Sequence, residues 1–76
     1  MEVKILGTGC AKCTKLFEET RQAAAEMQLE CNIEKVTEVQ DIMSYGVMVT
    51  PALVVEGEVK VAGKVPSRED IKKLLV

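Results

Sequence analysis

Val3, Ile5 and Leu6, with Lys4 between them, open the chain as an alternating run, the pattern of a strand with one face buried. The run stops at Gly7-Thr8-Gly9, a flexible turn that lets the backbone bend sharply. From Ala11 to Gln28 the period changes: Cys13, Leu16, Phe17, Thr20, Ala24 and Met27 recur at helical spacing, while Glu18, Glu19, Arg21, Gln22 and Glu26 take the other side. This helix puts Cys13 on its buried face and Cys10 at its exposed tip. A second strand is predicted over Leu29 to Val36, with Leu29, Cys31 and Ile33 inward; Lys35 and Val36 break the alternation and predict a bulge.

Thr37-Glu38-Val39-Gln40 reads as a capping box for a shorter helix, with Val39, Ile42 and Met43 as its apolar side and Gly46 as its left-handed stop. Val47 to Val49 lead to Thr50-Pro51. The β-rich runs Ala52-Leu53-Val54-Val55 and Val59-Lys60-Val61 flank Glu56-Gly57-Glu58, a tight hairpin. Gly63 and Pro66 close the sheet region. A last helix starts at Ser67 with a second capping-box pattern, Ser67-Arg68-Glu69-Asp70, and buries Ile71, Leu74 and Leu75. The predicted order is β-α-β-α-β-β-α.

With 76 residues, 47% of them hydrophobic, the chain is expected to form a single α/β domain over 1–76 with one modest core. Ten basic and twelve acidic residues are interspersed, and one Tyr and one Phe are the only aromatics, so neither a phosphate-binding stripe nor a base-stacking platform is visible. No nucleic-acid partner is expected. Met1 runs straight into the first strand without the basic flank of a signal peptide, and no apolar stretch nears the ~20 residues of a membrane span, so a cytoplasmic protein without a membrane partner is expected. Three cysteines, an odd number, fit reactive thiols in a reducing compartment better than a secreted disulfide framework. The chain has no histidine, which removes Cys-His nucleophile pairs, and three cysteines alone do not close a zinc site, so no metal is assigned.

Cys10-Ala11-Lys12-Cys13 is the most specific feature. Residues three apart on a helix have Cα atoms about 5 Å apart, inside the roughly 4.4 to 6.8 Å of an unstrained disulfide. Such a pair performs reversible two-electron chemistry with no cofactor. Unpaired N–H groups and the positive end of the helix dipole favour thiolate at the first sulfur, which makes Cys10 the expected nucleophile. Lys12 and Lys15 add well under about 1 kcal/mol after screening. Cys31 reads as a small buried hydrophobe, Tyr45 as an amphipathic packing residue, and Met27, Met43 and Met48 as core filler.

The order of elements, the CxxC opening the first helix and the Thr-Pro before the third strand resemble the thioredoxin fold across essentially the whole chain. The likeness is greatest to the small thioredoxin-like, or glutaredoxin-like, redox-active disulfide proteins of archaea and bacteria. It is carried by Gly9 to Cys13, Tyr45-Gly46-Val47, Thr50 to Val55, Gly63 and Pro66-Ser67. The resemblance implies a four-stranded mixed sheet flanked by three helices, and a thiol-disulfide oxidoreductase whose catalytic, redox-active disulfide is Cys10 and Cys13. It also implies a cis proline at Pro51 opposite the cysteines, with Thr50 and Pro51 binding an extended substrate segment. Its partners would be disulfide-containing proteins and a thioredoxin-reductase-like or other dithiol reductant, since no nucleotide-binding fingerprint exists in the chain.

Several positions depart from the family pattern. Gly9 stands where thioredoxin has Trp, Ala11-Lys12 replaces Gly-Pro, the first strand has no matching carboxylate, and Val61-Ala62-Gly63-Lys64 keeps one glycine of the glutathione segment. The alternative reading is a soft-metal domain in which the two thiolates bind Cu(I). Heavy-metal-associated domains of that kind run β-α-β-β-α-β and carry a methionine where this chain has Thr8.

Overall fold

The computed structural model describes residues 1–9 and 11–75, so the predicted placement of Cys10 at the helix tip lies outside the described residues. Seven elements follow in the predicted order: β1 (Glu2–Leu6), α1 (Ala11–Glu26), β2 (Asn32–Val36), α2 (Val39–Ser44), β3 (Ala52–Val55), β4 (Glu58–Ala62) and α3 (Arg68–Leu74). The strands form one four-stranded sheet in the order β2-β1-β3-β4. β1 runs parallel to β2 and antiparallel to β3, and β3 pairs antiparallel with β4, which makes the sheet mixed, as expected.

Side-chain alternation divides the core between the two faces of this sheet. Val3 and Ile5 of β1 and Leu53 and Val55 of β3 join Leu16, Ala23 and Ala24 of α1 and Ile71 of α3 on one side. Leu6, Ala52 and Val54 join Val36, Ile42 and Val47 on the other, which α2 covers. β3 is buried at all of its positions because helices lie over both of its faces. Thr20 sits in the apolar stripe of α1, fully buried, and its Oγ1 has no hydrogen-bond partner among the described residues.

β2 differs from the prediction in two ways. It begins at Asn32, and its register with β1 is unbroken from Glu2↔Asn32 to Leu6↔Val36, so the predicted bulge is absent from this pair. Lys35, though exposed, keeps the alternation of Ile33, with its Nζ 4.6 Å from the centre of the Phe17 ring of α1, while Val36 turns to the α2 face. The irregularity lies in β4 instead, where Leu53 faces Val61 but Val54 faces Val59, leaving Lys60 as the extra residue. The turn between β3 and β4 is Glu56-Gly57, with φ of 52° and 79°, the paired positive values of a tight hairpin.

Helix ends account for the other differences. α1 stops at Glu26, short of the predicted Gln28, because Gln28 takes the left-handed conformation, φ 56°, with no glycine to signal it. Leu29 N–H donates to Ala24 O at 3.0 Å and Gln28 N–H to Ala25 O at 3.1 Å, capping the orphan carbonyls. The capping box predicted at Thr37 does not form: α2 starts a residue later, with Glu38 as N-cap and no side-chain cap bond. Gly46 does end the helix region at φ 79°. At α3 the predicted cap forms, Asp70 N–H donating to Ser67 Oγ at 3.3 Å. Ile71 and Leu75 are buried as predicted and Leu74 is partly so.

An ion network pins α3 to α1. Arg68 reaches Glu19 at 2.7 Å and Glu26 at 2.8 Å, and Lys72 reaches Glu26 at 2.6 Å. Hydrogen bonds from Lys72, then Arg68, hold the Glu26 carboxyl below its ordinary value of 4.5. A depressed folded pKa gives stability that is present above the ordinary value and is lost as pH falls through the folded one. Glu26→Gln is therefore expected to lower the urea midpoint at pH 7 and to bring variant and parent together at pH 2. An equal gap at both pH values would contradict this.

Candidate active site

Cys13 occupies the first turn of α1, on the face that carries Leu16 and Thr20, so the helical periodicity that builds the core also buries this sulfur. It is 6% exposed and disulfide-bonded. Cys10 lies outside the described residues. The buried position of Cys13 was legible in the spacing of the apolar stripe.

Gly7 stands against Cys13 at the end of β1. A Cβ built on Gly7 would lie 2.9 Å from Cys13 Cβ and closer still to Sγ, so only glycine leaves room for the sulfur. The N–H of Gly7 donates to Val36 O at 2.9 Å, which continues the β1–β2 ladder and fixes the backbone there. Beside the pair is a cavity of about 20 Å³, lined by Ile5, Gly7, Gly9, Cys13, Thr14, Lys35 and Thr37, about the space of one water-sized sphere.

The Thr50-Pro51 peptide bond is cis, as the resemblance implied. Pro51 is buried and Thr50 is exposed. Pro51 O accepts a hydrogen bond of 2.8 Å from Gly63 N–H, which ties the loop to the end of β4. Gly63 has φ 82°, the left-handed region that favours glycine, and a Cβ there would also crowd Val49 Cγ2 at 2.8 Å, the end of an exposed side chain.

A groove of about 260 Å³ joins the two motifs: Thr8, in the turn before the cysteines, and Thr50 line it together with Val39, Ile42, Met43, Val47 and Met48. Met43 and Met48 are not the core filler predicted from composition. Met48 is 96% exposed and Met43 and Val39 are more than half exposed, because only Ile42 of the α2 apolar side reaches the sheet. Met27 alone of the three methionines packs against the core, partly buried. The signal for the groove was present in the sequence: a short helix with more apolar positions than it can bury, close to Thr-Pro.

The remaining candidates stand apart from this site. Tyr45 is half-buried against the α2-side core, with Lys4 Nζ 6.0 Å from its ring centre, in agreement with a packing role. Cys31 is free and partly buried, its Sγ 3.8 Å from Met1 Sδ. It precedes Asn32, which pairs with Glu2, so it lies at the opposite end of β1 from Gly7, about 16 Å of strand away.

Residues 1–76 match the thioredoxin domain family. The chain belongs to the thioredoxin family. The thioredoxin of Methanothermobacter thermautotrophicus is 41% identical over 75 residues, which cover 99% of this chain and 97% of that one. The thioredoxin of Methanocaldococcus jannaschii is 38% identical over 73 residues, 96% of this chain and 84% of its relative. This thioredoxin-family protein is a thiol-disulfide oxidoreductase, and its β-α-β-α-β-β-α order separates it from the copper-handling domains with which it shares a CxxC. Among the described residues, no helix is long and apolar enough to cross a membrane.

Proposed function

We propose that Cys10 and Cys13 are the redox couple and that Thr50 and Pro51, with the groove between Thr8 and Thr50, receive an extended segment of a disulfide-containing protein. The observation that carries this reading is Cys13 itself, disulfide-bonded and buried in the first turn of α1. Cys10 thiolate attacks one sulfur of the substrate disulfide, a Cys10–substrate bond forms, and the first substrate sulfur leaves and takes up a proton. The Cys13 thiol then gives up its proton and attacks Cys10 Sγ. The second substrate sulfur leaves as a thiol, and two electrons have passed from the dithiol to the substrate. A thioredoxin-reductase-like protein or another dithiol returns them. The reading includes one domain over residues 1–76 and a cytoplasmic location, where a free Cys31 stays reduced.

Equilibration of the protein in dithiothreitol buffers, alkylation of free thiols and counting of labels by mass tests the couple. A single two-label transition at Cys10 and Cys13 is expected, with Cys31 labelled throughout. If both thiols stay labelled over the whole range, the couple fails and Cu(I) binding takes its place.

A further inference from the structure

Resting on the Cys10–Cys13 reading, we infer that Gly7 is a positioning residue that sets the balance between disulfide and dithiol. Cys13 is disulfide-bonded, and in this state its Sγ occupies the volume that a side chain at position 7 would fill. Neither partner has freedom to retreat. The backbone of Gly7 is held by its bond to Val36 O and follows the fully buried Leu6. Cys13 rides on α1, which is locked into the core by the fully buried Leu16.

The two redox states answer a side chain at position 7 differently. In the dithiol, Cys13 Sγ has only its own rotamer to satisfy and turns away from an added methyl group, which leaves only the 2.9 Å approach to Cys13 Cβ that both states share. In the disulfide, the S–S bond fixes the direction of Sγ, and the overlap is unrelieved. A side chain at position 7 therefore destabilises the disulfide more than the dithiol and makes the protein easier to reduce. The glycine keeps the oxidised state accessible, which the substrate-reducing half of the cycle requires, because that half ends in the disulfide.

The test is Gly7→Ala, equilibrated with dithiothreitol. The reductant loses two electrons and two protons and closes to its cyclic disulfide, and the protein S–S bond becomes two thiols. The equilibrium is expected to move about tenfold toward the dithiol, equivalent to about 30 mV for a two-electron couple. The thermal midpoint of the oxidised form should fall further than that of the reduced form. These readouts close one thermodynamic cycle and must agree. An unmoved equilibrium, or one moved toward the disulfide, overturns the assignment of Gly7 and leaves the couple standing. A parent protein that forms no Cys10–Cys13 disulfide overturns the couple and the Gly7 role with it.

Should Gly7→Ala fail to fold, the same substitution in a Cys13→Ala background decides the matter. Removing the sulfur is expected to restore folding and at least half of the lost stability, because the closest overlap is with Sγ. Failure to fold in both backgrounds would show that the sulfur is not what the glycine accommodates.

Discussion

Cys13→Ser is expected to stop the reaction half-way, with the substrate joined to Cys10 as a stable mixed disulfide detectable by mass under non-reducing conditions. A serine hydroxyl at the buried position is far too weakly acidic to attack the Cys10–substrate bond, so the second half-reaction has no nucleophile. Cys10→Ser is expected to form no adduct at all. Both variants should lose multiple turnover by on the order of 10³-fold or more, since each removes a member of a unit that acts together. Cys31→Ala, at the far end of β1, should turn over like the parent. Parental turnover in both Cys10→Ser and Cys13→Ser would refute the couple. Loss in Cys31→Ala with an unchanged fold would refute the packing role given to that cysteine.

Gly63→Ala is the second large effect. A non-glycine residue at φ 82° carries the left-handed steric cost, about 1 to 2 kcal/mol, and the added Cβ also meets Val49 Cγ2 at 2.8 Å. Val49 precedes Thr50, and Gly63 N–H holds Pro51 O, so the adjustment falls beside the Thr50-Pro51 loop proposed to receive the substrate. A loss of about 2 kcal/mol is expected, which lowers the thermal midpoint by roughly 8 to 16 °C in a domain of this size. KM for a protein disulfide should rise while kcat with a small disulfide changes little. The measurements are thermal unfolding and steady-state kinetics with both substrates, and an unaltered KM would contradict a role for this loop in docking.

The main chain path and the buried half of the site were legible because they rest on periodicity. The stripe from Cys13 through Leu16 and Thr20 to Ala24 identified the helix, its buried face and the burial of one sulfur at once. Ser67 and Gly46 were read correctly because a cap and a left-handed stop each depend on a single residue type. Where several solutions compete locally, the pattern was less informative. Thr37 and Glu38 are both able to precede a helix, and packing of Ile42 against Leu6 and Val54 selects the later start. Gln28 takes a left-handed conformation because the turn back to β2 demands it, and glutamine has no signature for that. Lys35 looked like an interruption because it was counted as polar, whereas its ammonium reaches over Phe17 on the same face of the sheet as Ile33.

The candidate groove went unread, although its signal was present, for a related reason. Apolar residues at helical spacing are normally assigned inward, and Met43 and Val39 follow that spacing, yet a six-residue helix presents only Ile42 to the sheet. The seat of the Cys13 sulfur was equally out of reach. Gly7 reads locally as the start of a flexible turn, but its φ is not positive; what demands glycine is a sulfur on the next element, a contact across the fold that no local rule encodes.

The displaced register at Lys60 also bears on how copies of the chain meet one another. β2 and β4 are the open edges of the sheet, and an unbroken edge offers a row of unpaired backbone groups on which a neighbouring chain can add a strand. In β4 that row is interrupted in mid-strand by an extra residue, and the residue is a lysine, held 3.3 Å from Glu58. A second copy approaching this edge finds a twisted ladder and a charge to desolvate, so the feature that spoils the pairing of two strands within the chain also disfavours the addition of a strand from outside it.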